Sequence, residues 1–114
     1  MKTVNILVYG KHQEILETVL RLINKQDNWS GEGHTDEESV IEMFFHRSYD
    51  ILLLGGGIPE ASEKKVRALF TKAQPSAAIV QHYGGGSGLL KSEIEGALDS
   101  QEKAPLKVMD NPFG

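Results

Sequence analysis

The sequence predicts a single α/β domain of 114 residues built on a small doubly wound parallel sheet. Three observations point there. Short apolar runs, Val4–Tyr9, Ile51–Leu54 and Ala77–Val80, alternate with segments whose apolar residues recur at helical spacing. The helical segments are long enough to carry the chain back and start a parallel neighbour. Glycine or proline punctuates the joints, at Gly10, Gly55–Gly57, Pro75 and the 84–88 stretch.

The elements follow in order. Val4 to Tyr9 has one polar break at Asn5 and ends at Gly10, as a central strand does. From Gln13 to about Lys25, Ile15, Leu16, Val19, Leu20, Leu22 and Ile23 form a broad apolar helical stripe. Trp29 to Gly33 is a short strand with two glycines, suited to a sheet edge. Thr35 can cap the next helix while Glu38 reaches back to it. That helix buries Val40, Ile41 and Phe44; Phe45, like Trp29, fits either the core or a partly exposed edge. Asp50 to Leu54 is the third strand, and its continuous apolar run marks burial on both faces. Ile58-Pro59-Glu60 leads into a helix that buries Val66, Leu69 and Phe70 and stops at Pro75. Ala77 to Val80 is a fourth strand, a glycine loop follows, and a helix runs from about Leu89 to Asp99.

Beyond residue 99 two readings stand. In one, Leu106 to Met109 is a fifth strand, the order is 2-1-3-4-5, and the final helix is missing. That helix would have packed beside the first, so its absence leaves Ile15, Val19, Leu22 and Ile23 as an apolar interface for a second copy or a partner helix. In the other, residues 89–99 are themselves the final helix and 100–114 form a tail.

Composition narrows the function classes. A net charge of −4 with scattered Lys and Arg argues against nucleic acid, whose phosphates require clustered cations. The absence of cysteine removes disulfides, thiolate metal sites and thiol nucleophiles. The apolar stretch at the N-terminus is too short for a signal peptide or membrane span, which gives the expectation of a cytoplasmic protein.

Gly31-Glu32-Gly33 with His34-Thr35-Asp36-Glu37-Glu38, Tyr49-Asp50-Ile51-Leu52-Leu53-Leu54 with Ile58-Pro59, and Asn111-Pro112-Phe113 together resemble the receiver domain of bacterial two-component response regulators. The resemblance implies a flavodoxin-like fold over residues 1–114 and a phosphotransfer switch. In that family an acidic pair after the first strand holds Mg²⁺, and an aspartate after the third accepts phosphate. A hydroxyl after the fourth and a lysine after the fifth read it. Here the acidic pair falls on Tyr9 and Gly10, or on Gly10 and Lys11. The acceptor falls on Gly55, the hydroxyl on His82, the lysine on Asn111 and the switch aromatic on Val108. No position keeps its chemistry, so the resemblance implies a pseudo-receiver: a non-enzymatic module without cofactor or metal that binds a protein partner or itself.

Two other chemistries compete. Gly55, Gly56 and Gly57, with Gly84, Gly85, Gly86, Ser87 and Gly88, offer backbone amides at the sheet rim for a small ligand or anion such as phosphate or nucleotide. Gly85-x-x-x-x-Leu90-Lys91-Ser92 approaches a P-loop, but Leu90 stands where the second glycine must be. His12, His34 and His82 all follow strand ends. Strands about 4.8 Å apart place His82 roughly 10 Å from the other two, awkward for one metal ion.

Overall fold

The computed structural model describes residues 3–82 and 89–99. Four parallel strands, β1 (Val4–Tyr9), β2 (Trp29–His34), β3 (Ile51–Leu54) and β4 (Ala78–Gln81), lie in the order β2-β1-β3-β4. They alternate with α1 (Gln13–Asn24), α2 (Glu37–His46) and α3 (Glu60–Ala73), and a fourth helix, α4, spans residues 89–99. The suggested fifth strand, 106–109, lies outside the described residues.

Alternation along β1 and β3 divides the core into two layers. Ile6, Val8, Ile51 and Leu53 pack against Leu16, Val19 and Ile23 of α1. Leu7, Tyr9, Leu52 and Leu54 face Val40 and Phe44 of α2 and Val66 and Phe70 of α3. This partition is what right-handed crossovers demand, because β1 to β2 steps one way across the sheet and the later crossovers step the other way.

Leu90 and Ile94 of α4 belong to the α1 layer. A right-handed crossover from β4 to a strand beyond it would lie on the α2–α3 face instead. The α4 helix therefore occupies the place of a final helix beside α1, and the reading in which that helix is missing is corrected. With it goes the uncovered stripe: Val19 and Ile23 are buried, Leu22 packs against the same cluster, and only Ile15 is exposed.

The glycines of β2 explain how α1 lies so close to the sheet edge. A Cβ on Gly33 would stand 2.4 Å from the Val8 carbonyl oxygen, and one on Gly31 would meet Ile23 at 2.8 Å. The Asn24 side chain also takes both backbone groups of Gly31, donating to its O at 3.2 Å and accepting from its N at 2.9 Å. An open strand edge is thereby blunted. At α2 the cap is Asp36, one residue later than the expected Thr35. Its Oδ2 accepts from the Ser39 amide at 2.9 Å. Phe45 is exposed, its ring 5.3 Å from that of buried Phe44.

Candidate functional site

The carboxyl rim of the sheet is built by register. Tyr9, Leu54 and Gln81 stand side by side across β1, β3 and β4. Tyr9 and Leu54 point into the α2–α3 layer, and Gln81 accepts from Arg67 of α3 at 2.9 Å. The ladder continues one residue further, with Gly55 N donating to Tyr9 O and His82 N donating to Leu54 O, both at 2.8 Å. The next row is accordingly Gly10, Gly55 and His82, on the α1 side of the sheet and above Val8, Leu53 and Val80.

Two members of that row have no side chain. A Cβ on Gly10 would be 3.7 Å from Gly55 Cα, and one on Gly55 would be 3.6 Å from Gly10 Cα, ordinary contact distances. Backbone meets backbone where the family resemblance puts the acidic and acceptor positions. The space so created is a cavity of about 90 Å³ lined by Val8, Leu53, Leu16, Val19, His12 and His82 among others.

His82 closes one end. It is 6% exposed, and its Nδ1 lies 2.5 Å from Oε1 of Glu93 on α4. A carboxylate only accepts, so Nδ1 carries a proton and donates to Glu93. His12 stands at the mouth as the residue before α1, against Gly57. Gly57 has φ +79°, the conformation that favours glycine, and a Cβ there would come within 2.9 Å of His12 Nε2. Gly56 borders open space.

On the other side of the rim Tyr9 is fully buried, with its hydroxyl 2.7 Å from Ser62 Oγ. Bonds from Ser62 and Lys65 hold the Glu37 carboxyl below its ordinary range, and Glu37 in turn raises Lys65. Asp36 is also held low, first by the Ser39 amide and then by the Ser39 hydroxyl. Asp50 sits at the amino end of β3, accepting from the Asn5 amide at 2.8 Å. Asp36 and Asp50 thus lie at opposite ends of the strands. Among the described residues, no three His, Asp or Glu side chains converge as a metal cluster.

Of the singled-out rim residues, the structure brings together Gly10, Gly55, Gly56 and His82 and turns Tyr9 to the opposite face. Ile15 also lines this cavity while remaining exposed. Asn111 and the Gly84, Gly85, Gly86, Ser87, Gly88 loop lie outside the described residues. Glu93 escaped sequence reasoning, because only tertiary packing of α4 brings it to His82.

No protein-family model matches the chain, and no curated protein does. Solved structures do. A signal receiver domain of an HD domain-containing protein from Pseudomonas fluorescens Pf-5 superposes with a TM-score of 0.76 at 14% identity, covering 90% of this chain and 99% of that one. The response regulator TrrA of Thermotoga maritima, solved in complex with Mg²⁺ and BeF, gives 0.61 at 21% identity, with 79% and 81% covered. A pilus assembly-related protein of Burkholderia pseudomallei gives 0.58 at 15% identity, with 83% and 73% covered. The chain has the flavodoxin-like fold of response regulator receiver domains, with four strands and four helices among the described residues. No described helix is long and apolar enough to cross a membrane.

Proposed function

We propose that this chain is a receiver-like signalling module of the cytoplasm that binds another protein and is not controlled by phosphorylation. The observation that carries the reading is the Gly10–Gly55–His82 row, with Tyr9 turned to the opposite face. An acyl phosphate needs a carboxylate to form on, and Mg²⁺ needs hard oxygen ligands to replace its waters. Gly10 and Gly55 supply neither at the positions where a receiver would hold both. Without a phosphoryl group to favour one of two states, such a module works through occupancy of its surface. Phe45 and Ile15, both more than half exposed, are apolar side chains available to a partner.

Incubation with acetyl phosphate and Mg²⁺ tests this reading by intact mass. The mass is expected to stay unchanged. A species heavier by one phosphoryl group would overturn the proposal.

A further inference from the structure

We propose that the rim cavity is a binding site for a small neutral molecule with an apolar body and one hydrogen-bond donor, received by Nε2 of His82. The inference goes beyond the protein-binding reading and does not rest on it. Val8 and Leu53 form the floor of the cavity, and Ile15, Leu16 and Val19 of α1 line its side. Its room comes from the missing side chains of Gly10 and Gly55. A Cβ built on Gly10 meets only the backbone of Gly55, and one built on Gly55 meets only the Gly10 Cα and the Tyr9 carbonyl oxygen, all at 3.6 Å or more. Among these apolar walls His82 is a buried polar group, and its partner is settled: Glu93 takes Nδ1. With Nδ1 engaged by Glu93, the neutral form of the ring has only Nε2 left, as an acceptor, and a ligand that donates is the one complementary to that form.

Size sets the class. An apolar protein cavity of about 150 Å³ holds benzene. At about 90 Å³ this one suits a five-membered ring or a short chain. Nothing lies within 4 Å of a Cβ on Gly56, so a larger molecule has room to protrude there. A free anion is disfavoured, because apolar walls leave a charge without compensating partners and Glu93 already faces the imidazole.

Pyrazole, which carries a ring N–H, and N-methylpyrazole, which lacks it, are the probes. Binding is followed by amide resonances of Gly10, Gly55 and Gly56 and by the His82 ring nitrogens. Pyrazole is expected to shift these signals saturably. N-methylpyrazole should bind about tenfold more weakly or worse, as for a lost hydrogen bond at a buried acceptor. His82→Phe should erase the discrimination between the two probes. Gly55→Leu should fill the cavity and abolish saturation. Should that variant fail to fold, Gly55→Ala, whose Cβ makes only ordinary contacts, should weaken pyrazole measurably. Non-saturating shifts, equal affinity for both probes, or undiminished binding by the folded Gly55 variant would each overturn the proposal. So would saturation of the same amides by inorganic phosphate with no response to pyrazole.

Discussion

Two glycines of this chain separate packing constraint from surface freedom. Gly33→Ala drives a Cβ to 2.4 Å from a backbone oxygen of β1, an atom that yields only if the strands part. We expect a loss of about 1–3 kcal/mol, read as a lowered urea midpoint. Gly56→Ala meets nothing within 4 Å, and Gly56 is outside the positive-φ region, so stability should be unchanged or rise by up to about 1 kcal/mol. A destabilised Gly56→Ala would show that the rim turn is tighter than described. Tyr49 gives a pH signature. Its phenol is pushed well above its ordinary range by burial and by Glu32, whose Oε1 accepts the O–H at 2.7 Å. The folded chain holds this proton more tightly than the unfolded one. That contribution is therefore complete below pH 10 and declines as pH rises above it. Tyr49→Phe should flatten the alkaline decline, and an identical decline in the variant would remove Tyr49 as its cause.

At the scale of elements, α4 decides the architecture. Ile94 is fully buried in the α1 layer, so Ile94→Ala should cost about 2–5 kcal/mol in equilibrium unfolding. A negligible cost would mean that α4 does not cover that layer. The helices and central strands were legible because hydrophobic period and glycine punctuation agree over Val4–Tyr9, Gln13–Asn24 and Ile51–Leu54. The side of the sheet taken by residues 89–99 was not. An amphipathic stripe shows that a helix has a buried face without saying which sheet face receives it. The shift of the α2 cap from Thr35 to Asp36 has a similarly local cause, since both side chains can accept from a first-turn amide.

For the whole molecule, the buried α1 stripe removes the argument for a dimer through that face. Sedimentation at high micromolar concentration should show a monomer; a dimer lost on Ile23→Ser without loss of fold would contradict the packing given to α4. The rim was half legible in the sequence. The glycines stand at the ends of the apolar runs, but the row they form with His82, and the hold of Glu93 on that histidine, come from sheet register and from α4. The same rim holds the account's central claim, that the fold is kept without the groups that bind metal and phosphate. TrrA, of similar fold, was solved with Mg²⁺ and BeF. The most direct measurement is therefore an amide spectrum of this chain titrated with Mg²⁺ and beryllium fluoride. The resonances of residues 9–12 and 55–57 should remain in place throughout; a saturable shift confined to those residues would contradict the account.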